Sequence, residues 1–103
     1  MARYLVIVES TCRDPDREVE FNEWYDTVHV PDILDEPGTV SVTRWLDTAA
    51  QSLKYVTLVE VESDDIDRTL SLQRENAARL EKAGRLSALF TPVSRRVLRK
   101  IGP

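Results

Sequence analysis

The stretch TVSVTRWLDTAAQSLKYVTLVEVE, residues 39–62, decides the fold, because it reads as two β-strands in direct succession. In its first half Val40, Val42, Arg44 and Leu46 share one face, and Thr39, Ser41, Thr43 and Trp45 share the other, the period of a strand with two unlike sides. TAAQS, residues 48–52, is a hairpin-like connection, and LKYVTLVEVE, residues 53–62, is β-branched and apolar enough to be the second strand of the pair.

Both sides of this pair read as helix. Upstream, Asp14 is a plausible N-cap, with Pro15 at the first helical position and Asp16 and Glu18 near the positive helix end. That helix is expected to end about His29, because Pro31 disfavours helical geometry at Val30. The loop PDILDEPG, residues 31–38, then leads into the strand pair. Downstream, Ser63 to Asp65 offer N-caps for a second helix ending near Gly84, a fitting C′ glycine. Its inward face takes Ile66, Leu70, Ala77 and Leu80, with Gln73 the one polar member.

Outside the helices lie two more strands. RYLVIVE, residues 3–9, is apolar on both faces, and FTPVSRRVLRKI, residues 90–101, closes the chain, with Pro92 suited to a strand start or exposed edge. The order strand, helix, strand, strand, helix, strand predicts a ferredoxin-like α+β fold: a four-stranded antiparallel sheet with both helices on one face. The other sheet face carries apolar residues too, since Leu5 and Ile7 oppose Tyr4, Val6 and Val8, and Val56 and Leu58 oppose Val59 and Val61. Left alone it would be a large apolar patch, so a homodimer packed sheet to sheet is expected.

With 103 residues there is room for one domain only. A net charge of −4 argues against a nucleic-acid partner, which would need a basic face; the late cluster Arg95, Arg96, Arg99 and Lys100 reads as a strand face or edge. The single cysteine, Cys12, excludes an internal disulfide, and one His with one Cys cannot build a usual zinc site. The first ten residues are too short an apolar run for a signal sequence or membrane span. A cytoplasmic location, no membrane and no cofactor are the resulting expectations.

His29 is the only histidine. At about 100° per residue, Val28, Phe21, Tyr25 and Trp24 span one apolar arc of the first helix. Glu18, His29 and Asn22 fall on one shoulder of it, with Asp26 just beyond. An imidazole there is suited to general acid–base work, with Asn22 or Asp26 orienting one ring nitrogen. The other reading of the spacing is a helix-end histidine that meets only the last carbonyls. Trp24 and Tyr25 fit either core or pocket wall. Arg44 and Tyr55 could hold a carboxylate or enolate, or be an edge charge and a core residue.

FNEWYDTVHVP, residues 21–31, followed by Pro37-Gly38, resembles the EthD-like branch of the dimeric α/β-barrel superfamily in its Phe, aromatic pair, His with nearby Pro, and Pro-Gly before the second strand. The resemblance covers Phe21 to about Trp45 in motif and the whole chain in element order. It implies a homodimer with a small-molecule pocket between sheet and helices. It also implies a cofactor-independent isomerase, cyclase or dehydratase acting on a cyclic, aromatic or polyketide-like substrate. In the methylmuconolactone methylisomerase type, a helix-end histidine matching His29 is catalytic. That type also uses a later cysteine, whereas Cys12 here precedes the helix. The alternatives are a dimer that binds a hydrophobic metabolite without turnover, a haem-binding or haem-degrading protein with His29 as axial ligand, or a relative of the quinol-forming monooxygenases.

Overall fold

A computed structural model describes residues 1–49 and 54–103. Four strands, β1 (Ala2–Cys12), β2 (Thr39–Leu46), β3 (Tyr55–Ser63) and β4 (Phe90–Arg99), form one antiparallel sheet in the order β2-β3-β1-β4. This is the expected ferredoxin-like arrangement. The connection expected at residues 48–52 falls largely outside the described residues. The central pair β1 and β3 keeps Val6 opposite Val59 and Tyr4 opposite Val61, and Val6 in turn faces Val97 of β4.

Two bulges modify the simple alternation. In β2 the register shifts between Thr39 and Ser41, so Val40 is the extra residue and is 45% exposed. Thr39 therefore lies on the helix side, opposite Val61, and Val42 packs into the core while Trp45 points to the other face. In β4 Val93 is the extra residue, beside Pro92. A bulge leaves one residue unpaired and sharpens the local twist, and on an edge strand the missing N–H of Pro92 costs no ladder bond.

The first helical region departs from the sequence reading. Asp14 caps a short turn, Pro15–Arg17, its carboxylate accepting from the Asp16 N–H. Helix α1 (Glu18–Trp24) then runs into a wide turn, Tyr25–His29, with hydrogen bonds five residues apart, and the chain continues as α2 (Val30–Leu34). The helix does not stop at His29. Val30 stays helical at φ −58 and ψ −49 and donates to the Tyr25 carbonyl. A proline inside a tight helix clashes with the carbonyl four residues back; the widened turn eases that contact and lets Pro31 sit in the first turn of α2.

Helix α3 (Ile66–Lys82) begins on Asp65, whose carboxylate accepts from the Arg68 N–H. It ends as expected at Gly84, with φ +72. The Arg85 N–H reaches the Leu80 carbonyl and the Gly84 N–H reaches the Glu81 carbonyl, the paired bonds of a Schellman end. Ile66 and Leu70 pack on the Val6–Val59–Val61 cluster, whereas Leu80 is half-buried and joins neither buried cluster. Gln73 is buried and donates from Nε2 to the Pro37 carbonyl at 3.1 Å, so its amide is satisfied by backbone.

A second cluster, Cys12, Phe21, Tyr25, Tyr55 and Leu89, closes the other end of the helix–sheet core. Cys12 is the last residue of β1, buried, with its thiol donating to the Asp14 carbonyl. On the far face the register groups Leu5 with Leu98, Ile7 with Leu58, and Val56 with Trp45. Arg3 ties the rim of this face to Glu60 and Glu62. Among the described residues, no helix is long and apolar enough to cross a membrane.

Candidate functional site

Between the helices and the sheet lies a cavity of about 520 Å³. Its floor is Val6, Val8 and Val59, its helical wall is His29, Ile33 and Glu36, and α3 adds Gln73, Arg74 and Ala77. Phe90, Pro92 and Arg95 of β4 close the remaining side. The volume falls within the range of small-molecule sites, and a mostly apolar lining with a few converging polar groups is their usual chemistry.

His29 reaches this wall because of the wide turn. One extra residue in a turn moves every later position back by roughly 100°. His29 therefore takes the place that Val28 holds in an unbroken helix, inside the apolar arc. Its ring lies nearly parallel to Trp24, 4.8 Å between centroids and 18° apart, with Tyr25 edge-on at 4.8 Å and Phe90 at 5.4 Å. Nδ1 is buried and has no hydrogen-bond partner among the described residues. Burial lowers the ring from its ordinary 6.5 to about 4, Asp32 working against that shift and Arg44 with it. The imidazole is neutral at physiological pH.

Glu36 sits just past α2, where its N–H bonds the Ile33 carbonyl and its carbonyl receives the Thr39 N–H. Burial raises its carboxyl from 4.5 to about 7; Arg95 pulls it down and Asp32 pushes it further up. Opposed shifts of two titratable groups on one cavity wall mark an environment that separates an acid form from a base form. The turn that presents Glu36 depends on Gly38, at φ +80, where an added Cβ would stand 2.8 Å from the Glu62 carbonyl oxygen.

The other residues singled out from sequence gather elsewhere. Arg44 donates to Asp26 Oδ1 and Asn22 Oδ1, both at 2.8 Å, and its guanidinium lies 4.1 Å from the Tyr25 ring centroid and 5.3 Å from that of Tyr55. The Tyr55 hydroxyl donates to Glu18 and accepts from Asn22. Asn22 and Asp26 thus bond Arg44 rather than His29. The re-phasing that carried the imidazole inward left these polar groups on the original shoulder. Tyr25 separates the two sets: fully buried, its hydroxyl shares a 2.6 Å hydrogen bond with Thr57. Trp24 and Tyr25 stand behind the imidazole, not on the cavity wall. Trp24 Nε1 donates to the Arg85 carbonyl, and Arg85 pairs with Asp32 at 2.6 Å, pinning the helix over the segment that follows α3.

Glu36, Phe90 and Arg95 were not identified from sequence as site residues. The signal for Glu36 is its spacing of i, i+4 and i+7 with His29 and Ile33, although α2 ends at Leu34 and the turn after it is what places Glu36. Among the described residues, no group of three or more His, Cys, Asp or Glu side chains is placed to hold a metal ion.

No protein-family model matches the chain, and no curated protein matches it. Solved structures do. One is a Bordetella bronchiseptica protein provisionally assigned as an antibiotic biosynthesis monooxygenase, 19% identical, covering 98% of this chain and 99% of that one with a TM-score of 0.73. Another is SnoaB, a cofactor-independent oxygenase from Streptomyces nogalater, 15% identical over 100% of this chain and 97% of that one, TM-score 0.68. A third is the monooxygenase from the gene ActVA-Orf6 of Streptomyces coelicolor, in complex with nanaomycin D, 17% identical over 99% and 90% of the two chains, TM-score 0.60. Over its whole length, the chain has the ferredoxin-like α+β fold of these monooxygenase structures.

Proposed function

We propose that this protein is a cofactor-independent enzyme acting on a small cyclic, aromatic or polyketide-like molecule, with His29 exchanging a proton with a substrate oxygen. One observation carries the reading: a neutral imidazole, braced by three aromatic rings, lies on the wall of a ligand-sized cavity with Nδ1 unpaired. Most buried side-chain polar atoms are hydrogen-bonded, and the His29 Nδ1 is one of the few among the described residues that are not. The likeness of residues 21–38 to the EthD-like motif supports the same histidine, and the fold it shares with a cofactor-independent oxygenase and a nanaomycin D-bound monooxygenase supports the substrate class.

Isomerisation, elimination and cyclisation of such molecules pass through an enol or enolate, and oxygenation of a quinol begins with loss of a phenol proton, so each needs a group that serves a substrate oxygen. His29 is the group for that oxygen: neutral, it can accept a hydrogen bond or proton at one nitrogen and donate from the other. An enolate drawn against the ring raises its basicity. Trp24 and Tyr25 fix the ring plane. Arg44, with Asn22 and Asp26, positions Tyr25 from the opposite side. The same reading includes a homodimer joined through the apolar sheet face of Leu5, Ile7, Val56, Leu58 and Leu98.

The test is NMR shift mapping with β-naphthol, a fused-ring phenol, on wild type and His29→Ala. Shifts confined to Val6, His29, Gln73 and Phe90, with affinity reduced about tenfold or more in the variant, are the expected result. No shift at these residues removes the reading. Binding with no turnover across a panel of fused-ring phenols and ketones would favour a metabolite binder, and a Soret shift on adding haem would favour a haem site.

A further inference from the structure

We propose that Glu36 is the cavity's carbon base: it takes the proton from a carbon adjacent to a substrate carbonyl, while His29 serves the carbonyl oxygen and Arg95 stabilises the anion that forms. The proposal rests on the reading of the His29 cavity as a substrate site and names the substrate class more closely: a ring ketone or its enol, with an acidic C–H.

The geometry supplies both ends of such an enolisation. His29, Ile33 and Glu36 line the same cavity wall, the first two from the helical segment and Glu36 from the turn that follows α2. Among the described residues no ion pair or hydrogen bond holds the Glu36 carboxylate, although the surrounding surface is rich in such pairs. The charged and titratable groups around it are few: Asp32 and His29 on the helical segment just before it, Arg74 on α3 and Arg95 on β4. Half-buried on the cavity wall, the carboxyl is raised by burial to about 7, which is where a general base is most effective at physiological pH. His29 is shifted the opposite way and remains an uncharged hydrogen-bond partner. A carboxylate base with a neutral imidazole at the oxygen is a known division of labour for enolisation.

The step balances without a co-reactant. The C–H bond breaks, its electron pair becomes the enolate, and the proton passes to a Glu36 carboxylate oxygen. Hydrogen bonding from His29 and the positive charge of Arg95 lower the energy of the oxyanion. Return of the proton to another carbon completes an isomerisation, and return to the same carbon from D2O completes an exchange.

The experiment uses the full chain and β-tetralone, a flat bicyclic ketone with an acidic C–H, followed by proton NMR in D2O. Wild type should accelerate exchange at the carbon next to the carbonyl, with a rate rising as pD passes about 7. Glu36→Gln should cut that acceleration ~10²–10⁴-fold while leaving probe binding within a few-fold, read from shifts at Val6 and Phe90. Glu36→Asp should retain part of the rate. Independently, carbon-13 NMR of the glutamate carboxyls should show one group titrating near 7 that disappears in Glu36→Gln. Equal exchange in wild type and Glu36→Gln, or bound probe with no exchange in wild type, overturns the base assignment and leaves the cavity reading standing. Absence of any probe binding, with or without the titrating carboxyl, overturns both.

Discussion

Acidification offers a direct measure of how His29 is held. Its folded value near 4 lies below the ordinary 6.5, so the unfolded chain binds the proton more tightly than the native one. Stability linked to this ring is therefore fully present above about 6.5 and is lost as pH falls toward 4. A tenfold difference in proton affinity is worth about 1.4 kcal/mol. Between about pH 7 and pH 4.5 the interval corresponds to ~2–3 kcal/mol, and the ring's partial exposure places the expected loss near ~2 kcal/mol. That is a large share of the ~5–15 kcal/mol that holds a small domain. Native carboxylates also weaken a protein on acidification, so the informative quantity is a difference. His29→Phe keeps the stack on Trp24 and removes the titration. Urea denaturation at both pH values should show wild type losing ~2 kcal/mol more than His29→Phe. Glu36 has the opposite sign: its raised value means stability present below about 4.5 and lost as pH climbs through about 7, and it contributes to both proteins alike. Equal losses, within about 0.5 kcal/mol, would mean that the imidazole is as well solvated as in the unfolded chain, and the closed aromatic setting would be wrong.

Gly38→Ala should cost ~1–3 kcal/mol by thermal or chemical melting, because the φ of +80 and the 2.8 Å approach to the Glu62 carbonyl both oppose a side chain. Leu70→Ala should cost ~2 kcal/mol and Leu80→Ala about half that, since only Leu70 packs on the Val6–Val59–Val61 cluster; equal losses would place the buried face of α3 differently. Tyr25→Phe strands the buried Thr57 hydroxyl and should cost ~1–3 kcal/mol, with no change in cavity shape by NMR shifts. Light scattering should return a homodimer at micromolar concentration, and Leu58→Arg, on the far sheet face, should dissociate it without unfolding the subunit; a stable wild-type monomer would remove the sheet-to-sheet reading.

Much of the fold is local and so was readable directly. The alternation of residues 41–46, the apolar runs of β1 and β3, the Asp14 and Asp65 caps and the glycine end at Gly84 are each set by residues a few positions apart. Their order admits few topologies, and the ferredoxin-like sheet is one. Gln73 as the polar exception on α3 was also visible, and the Pro37 carbonyl is what it serves.

The site was only half legible, for a physical reason that lies in one turn. Sequence spacing assumes a constant angle per residue, and on that assumption His29 keeps company with Asn22, Glu18 and Asp26. The wide turn at Tyr25–His29 breaks the assumption, because Pro31 can be accommodated by loosening the preceding turn as well as by ending the helix. From that single change His29 swings into the apolar arc and the polar group it left behind closes around Arg44, while the turn after α2 brings Glu36 to the same cavity. Sequence by itself singled out His29 and the element that bears it, but not Glu36, Phe90 or Arg95. Tertiary packing decided which residues share a cavity, since a helix carried through a proline depends on what it is pressed against.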